Sequence, residues 1–305
     1  MPRSWNLTQS QINDWVRQSQ YQAKSGWVPT YISHLEHAHP SWFAVQIITL
    51  DGQDYQGGRS GVTFSLMSVV KPFMLLYLLE CLGPQAVFGR VGMQPSDQPF
   101  NSIAQLKQDQ GHPRNPMLNS GAIALASLLP GATGIDRCTA FCQWLDDHAG
   151  TALKLDQTVL ASVRQLPNER NRAIARHLAQ SNHLKGEVQA TLDAYEQVCC
   201  ISATVKTLAR LGMLMVDRSL GIHPAHQRIV TTIMSTCGLY EESANFAVTI
   251  GLPCKSGVSG AILAIVPGQG AIACYSPPLN AAGNSVGGLF FLEQLSHALD
   301  LSIFT

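Results

Sequence analysis

Pro72 leaves a helix only one place to begin in the segment Phe64-Ser65-Leu66-Met67-Ser68-Val69-Val70-Lys71-Pro72-Phe73. Proline lacks an N–H and is tolerated in a first helical turn, where that donor has no intrahelical partner anyway. The run Met74 to Leu79 that follows is apolar and rich in helix formers. Ser68 is therefore expected at the entrance of a helix, with Lys71 one turn on and facing the same way. A hydroxyl in that place lies near backbone N–H groups and the positive end of the helix dipole, which suits a developing oxyanion. A lysine beside it, its pKa lowered by burial, is able to take the hydroxyl proton. The competing reading makes Ser68 a helix N-cap and Lys71 a solvated first-turn residue.

Charge narrows the class of partner. Twenty basic residues balance twenty acidic ones, so no field draws nucleic acid or an anionic membrane to the chain. Only 13% of the 305 residues are charged and 46% are hydrophobic, which points to a large core and to surface buried in a homodimer or homotetramer. No apolar run is read as long enough for a membrane span, and the polar start, Met1 to Gln20, lacks the apolar centre of a signal peptide. A cytoplasmic location is the expectation. Eight scattered cysteines, Cys81, Cys138, Cys142, Cys199, Cys200, Cys237, Cys254 and Cys274, show no paired C-x-x-C spacing and fit reduced thiols. The close histidines His34, His37 and His39 lack an H-E-x-x-H pattern and stand before Pro40, so a surface turn is preferred to a metal site. Neither metal nor cofactor is expected.

The order of elements reads as β, then α, then β. Trp42 to Leu50 is β-branched-rich and alternating, and Asp51-Gly52 marks a hairpin into a strand near Tyr55. From Cys81 to about Leu220 the pattern is helical, clearest at Ile123–Leu129, Cys138–His148, Asn171–Gln180 and Thr204–Val216. Strands are expected at Ala244–Gly251, Ala261–Val266 and Ala271–Tyr275, and an amphipathic helix at Val286–Leu299. A sheet built from both chain ends around a helical insertion follows.

Two further segments turn the serine–lysine pair into a candidate site. Cys237-Gly238-Leu239-Tyr240 and Lys255-Ser256-Gly257-Val258 follow it in the order seen in serine hydrolases of the Ser-x-x-Lys type, such as the penicillin-recognising enzymes. There a second polar motif shuttles a proton, and a Lys-Ser/Thr-Gly strand edge supplies an oxyanion N–H. Here Tyr240 is the candidate shuttle, its phenol pKa expected to be lowered by neighbouring lysines.

More specifically, the chain resembles the serine-dependent glutaminases, which hydrolyse L-glutamine to L-glutamate and ammonia. The likeness runs from roughly Tyr31 to Gly287. It is carried by Tyr31-Ile32-Ser33-His34-Leu35, Met67 to Pro72, Pro95-Ser96 with Phe100-Asn101-Ser102, and Asn115-Pro116-Met117-Leu118-Asn119-Ser120-Gly121. Arg170-Asn171-Arg172-Ala173, Tyr195-Glu196-Gln197-Val198-Cys199-Cys200, Cys237 to Tyr240, Gly251 to Val258 and Ser276-Pro277-Pro278-Leu279 continue it. The resemblance implies an α/β (α+β) fold of the β-lactamase/penicillin-binding-protein-like type. It also implies one domain over 1–305, a mostly antiparallel sheet and a helical subdomain at about 81–220.

Carried over, Ser68 resembles the nucleophile, Lys71 its base, and Tyr240 a tyrosine bonded to that lysine which relays a proton to the leaving ammonia. The backbone N–H groups of Ser68 and Val258 resemble the oxyanion hole, with Lys255, Ser256 and Gly257 in support. Tyr31, Asn119, Asn171 and Tyr195 resemble the residues that hold the amino-acid end of glutamine. One departure matters. The family has a Ser-Glu pair whose glutamate binds the substrate ammonium, whereas Ser162 here is followed by Val163, with one extra residue before Arg170. Glu169 is near but out of register, so weak glutamine binding is the expectation. Gln94, Asp97 and Ser120 also depart from the family's usual Glu, Gly and Ala. The alternatives are a serine acyl hydrolase of the same fold on another small amide, ester or β-lactam, and a weakly active or non-catalytic glutaminase-like scaffold.

Overall fold

The computed structural model describes residues 5–32 and 35–304. Helix α1 (Gln9–Gln22) precedes the hairpin of β1 (Ala44–Thr49) and β2 (Asp54–Gly58), and the short β3 (Phe64–Ser65) follows. The middle is mostly helical: α2 (Lys71–Phe88, interrupted at Gly83 before Pro84), α3 (Ile103–Gln108), α4 (Asn119–Ala126) and α5 (Gly134–Ala149) come first. After β4 (Lys154–Leu155) come α6 (Gln157–Arg164), α7 (Glu169–Gln180) and α8 (Val188–Cys199). Then β5 (Ile201–Ala203) leads to α9 (Val205–Met213), α10 (Pro224–Cys237) and α11 (Ser243–Thr249). Strands β6 (Cys254–Ser256), β7 (Ala261–Val266) and β8 (Gly270–Tyr275) and helix α12 (Val286–Leu299) close the chain.

The main sheet runs β2-β1-β8-β7-β6 with every neighbour antiparallel, so strands from the two ends of the chain meet at β1 and β8. Its central strands are apolar at nearly every position because both faces are covered. Along β7, Ala261, Leu263 and Ile265 join the core under the helical middle, while Ile262, Ala264 and Val266 join the core under α1 and α12. Each such Leu or Ile contributes about 1.5–3 kcal/mol of burial. On the outer face Trp15 of α1 meets Phe291 of α12 edge-on. A second sheet, β3-β5-β4, lies beside the entrance to α2.

Helix α2 is buried on all sides over Lys71 to Leu79, as its unbroken apolar sequence demands. The stretch 67–88 contains an 18-residue window of mean hydropathy 1.3, long and apolar enough by composition to cross a membrane, and 72% of that window is buried within the protein. The expectation that no run has that length is corrected on this point: the run exists, as a core helix.

Two other expectations change, and one helix stands where none was expected. Ala244–Gly251 is not a strand; it forms α11, begun by the Ser243 hydroxyl, which accepts from the Leu239 amide at 3.0 Å and donates to the Tyr240 carbonyl at 2.8 Å. Its apolar residues do not form one buried face: Val248 is 86% exposed. Helical structure also continues past Leu220 through α10 and α11. Finally, the polar segment 9–22 is a helix, opened by a capping box in which Thr8 and Gln11 satisfy each other's backbone donors.

Candidate active site

Ser68 lies in a 3₁₀ turn, Met67–Val70, that feeds into α2. The residue before it, Met67, has a φ of 46°, a left-handed conformation that non-glycine residues rarely hold and that tends to gather at functional sites. The capping reading fails here. No side chain caps α2, Ser68 is 9% exposed and Lys71 is fully buried. The Lys71 Nζ donates to the Met117 carbonyl and to Asn119 Oδ1, both at 2.9 Å. Burial brings its pKa down from 10.5 to about 8, against a small opposing effect of the Cys199 thiol.

A second buried lysine, Lys255 on β6, is held well below the ordinary lysine range by burial and then by the charge of Lys71. Its Nζ donates to the carbonyls of Gly238 at 3.1 Å and Ser256 at 2.6 Å, and lies 4.5 Å from the ring centroid of Tyr240. Tyr240 also takes a left-handed backbone, with φ 57°. Its phenol donates to the Ser256 carbonyl at 3.2 Å and lies close enough to the Ser68 hydroxyl for that group to lower its pKa.

Two expectations about this tyrosine are corrected. The hydroxyl contacts Ser68 and Ser256, while Lys71 is held by Met117 and Asn119 instead. And the phenol pKa is raised, because burial outweighs the lowering effect of the Ser68 hydroxyl. Lys255 lies over the ring face and donates to the Gly238 and Ser256 carbonyls, not to the phenol oxygen.

Gly257 brings the end of β6 against the serine turn. A Cβ there would sit 2.9 Å from the Leu66 carbonyl oxygen and 3.1 Å from Val69 Cγ2. Without one, Val258 reaches the cavity that Ser68 lines, and neither the Ser68 nor the Val258 amide donates to a backbone carbonyl among the described residues. Gly257→Ala is expected to push the strand end off the turn and lower kcat by roughly ten- to a hundredfold. The measurement is kcat beside the melting temperature; a fully active Gly257→Ala would show that this close approach is dispensable.

The cavity has a volume of about 740 Å³ and is lined by Tyr31, Ser68, Asn119, Asn171, Tyr195 and Val258 together. Lys71 and Tyr240 are not in its lining, and Lys255 and Ser256 are fully buried. Asn119, the first residue of α4, joins three elements. Its Oδ1 accepts from Lys71 and from the Tyr195 hydroxyl at 3.1 Å, and its Nδ2 donates to Asn171 Oδ1 at 3.1 Å. Tyr31 stands half-exposed at the rim.

Glu196, Cys199 and Gly283 are among the cavity residues to which the sequence alone assigns no role. Glu196 and Cys199 were within a matching block, but nothing in the sequence says which side chains of a helix face a cavity. Val163 also lines the cavity, and Glu169 lies at its edge. Among the histidines, His39 Nδ1 is 2.7 Å from Ser41 Oγ, and His34 lies outside the described residues.

A family model described as Glutaminase matches residues 26–304. A glutaminase of Synechocystis sp. is 46% identical over 292 residues, covering 95% of this chain and 89% of its own. A solved structure of a probable glutaminase, ybaS, superposes with a TM-score of 0.87 at 33% identity over 96% of this chain and 99% of the other. Another is the covalent complex of the Bacillus subtilis glutaminase YbgJ with 5-oxo-L-norleucine, formed by reaction with 6-diazo-5-oxo-L-norleucine. It has a TM-score of 0.87 at 28% identity, covering 97% and 99% of the two chains. The likeness in sequence and in fold thus extends over nearly the whole length, and the chain belongs to the glutaminase family.

Proposed function

We propose that the chain hydrolyses L-glutamine to L-glutamate and ammonia in two steps, through a γ-glutamyl ester on Ser68 and without a cofactor. The observation that carries this reading is the fully buried Lys71, with its pKa near 8, one helical turn from a serine in the cavity wall. A neutral lysine has two N–H donors. The Met117 carbonyl and Asn119 Oδ1 take both, which leaves the nitrogen lone pair for the Ser68 proton.

In the first step Lys71 accepts that proton as Ser68 Oγ attacks the side-chain amide carbon of glutamine. The oxyanion accepts from the amides of Ser68 and Val258. Tyr240 then protonates the leaving nitrogen and recovers the proton taken up by Lys71 by way of cavity water, since the two side chains are not directly bonded. Its raised pKa suits a group that passes a proton without holding charge. Ammonia departs and the ester remains. In the second step water attacks the ester carbon, Lys71 takes its proton, and Ser68 leaves protonated with L-glutamate as product. Tyr31, Asn119, Asn171 and Tyr195 offer neutral donors and acceptors to the amino-acid end. The covalent adduct of the Bacillus subtilis relative supports a nucleophilic route.

Purified protein assayed for ammonia release from glutamine beside nitrocefin hydrolysis tests this reading against the acyl-hydrolase alternative. Glutamine turnover without nitrocefin turnover is expected, and the reverse would overturn it. The pH profile tests the base. Lys71 acts only when deprotonated, so kcat/KM should rise about tenfold per pH unit below about 8 and level off above it. A profile flat from about pH 6.5 to about 9 would remove Lys71 from that role. On the same reading the enzyme is a cytoplasmic homodimer or homotetramer, supported by its free thiols and low charge fraction. Cell fractionation tests the location, and light scattering on the purified protein tests the assembly.

A further inference from the structure

The family's ammonium-binding glutamate is replaced here by Val163. Its side chain packs against the apolar cluster of Ile32, Leu35, Met67 and Leu160 and offers a substrate ammonium nothing. Two carboxylates remain in the cavity lining, Glu169 and Glu196. Their surroundings differ. The Glu169 side chain is 70% exposed and is paired with Arg172 at 3.2 Å, one turn along its own helix. The Glu196 side chain is 15% exposed on α8, directly after Tyr195.

Glu196 is also incompletely partnered. Its Oε1 accepts from Asn168 Nδ2 at 2.6 Å. The nearest cation to Oε2 is Arg164 Nε at 4.0 Å, beyond hydrogen-bond range, and the Arg164 guanidinium is engaged by Asp193. Burial raises the Glu196 pKa, more than Asn168 and Arg164 lower it. Among the described residues Oε2 thus has a cation only at 4.0 Å and no hydrogen-bond donor, and an ammonium delivered into the cavity supplies that donor. Asn168 and Asn171 lie at the start of α7, so one helix end ties Glu196 and Asn119 into the same wall.

We propose that Glu196 receives the α-ammonium of glutamine in this chain, in place of the glutamate that Val163 replaces. The proposal rests on the glutamine reading above. It also reverses the expectation of weak binding, because the charge-assisted contact is supplied from α8 instead of α6.

The test uses Glu196→Gln, which keeps the shape and the acceptor for Asn168 and removes only the charge. KM for L-glutamine should rise about ten- to a hundredfold with kcat within about threefold of wild type, since the contact lies away from the reacting amide. The readout that separates recognition from structure is inhibition by 4-carbamoylbutanoate, which is glutamine without its α-amino group. Its inhibition constant should be unchanged in Glu196→Gln, while Glu169→Gln should leave both constants near wild type. A Glu196→Gln enzyme that binds glutamine as tightly as wild type would overturn the proposal. So would one that loses glutamine and the deaminated analogue alike, which marks a structural role. A wild type that fails to turn over glutamine would sink the glutamine reading itself, a result distinct from either.

Discussion

Ser68→Ala is expected to lower glutamine turnover by at least about a thousandfold while the melting temperature stays within a few degrees of wild type. The magnitude follows from what the hydroxyl does. It is the only group in the scheme that forms a bond to the substrate carbon, so its loss leaves positioning and the oxyanion amides without a nucleophile. A thousandfold is about 4 kcal/mol of barrier. The fold should tolerate the change, because Ser68 caps no helix, and the turn around it is held by backbone bonds such as the Val69 amide to the Leu66 carbonyl at 2.9 Å. Stopped assays of glutamate formation read the loss, and calorimetry reads the stability.

Tyr240→Phe is expected to lose at least about a hundredfold in kcat with KM little changed. The ring would keep its packing against Phe100, with centroids 5.0 Å apart, and its place under Lys255. What disappears is the O–H that donates to the Ser256 carbonyl beside Ser68. Ammonia leaves only after its nitrogen is protonated. A γ-glutamyl ester with a good leaving group needs no such proton, so Tyr240→Phe should hydrolyse it far closer to the wild-type rate. Equal losses on amide and ester would assign the phenol to positioning Ser68 and not to proton transfer. No loss on either would remove it from the reaction.

The chemistry of the site is the part most legible in the sequence. A serine, a lysine one helical turn on, and a Lys-Ser-Gly strand edge need fixed local spacings, so the order of residues along the chain already singles out Ser68, Lys71, Tyr240 and Val258 as the candidates of the proposed scheme. The central strands and α12 are legible for a related reason: β7, β8 and α12 are long or apolar enough that one period dominates. Ala244–Gly251 misleads because its apolar residues suggest a strand, whereas in the fold Val248 points to solvent and Ser243 starts a helix. Helix α1 is easily passed over for its polarity, although Thr8 and Gln11 spell a capping box. The direction of the Tyr240 pKa depends on how completely the ring is desolvated, which is not written in local sequence. Glu196 is hidden for the same reason. Its burial is produced by α6 and α7 packing over α8.

The central claim is that Ser68 carries the acyl group, and Cys199 is its physical rival, a thiol in the lining of the same cavity. Burial pushes the Cys199 pKa up to about 11, which leaves little thiolate at neutral pH and argues against it as nucleophile. Treating the purified enzyme with 6-diazo-5-oxo-L-norleucine and mapping the adduct by peptide mass spectrometry separates the two directly. The account predicts one adduct per chain, on the peptide containing Ser68, absent in Ser68→Ala and appearing in step with loss of activity. An adduct on Cys199, or inactivation that persists in Ser68→Ala with residual turnover intact, would contradict it.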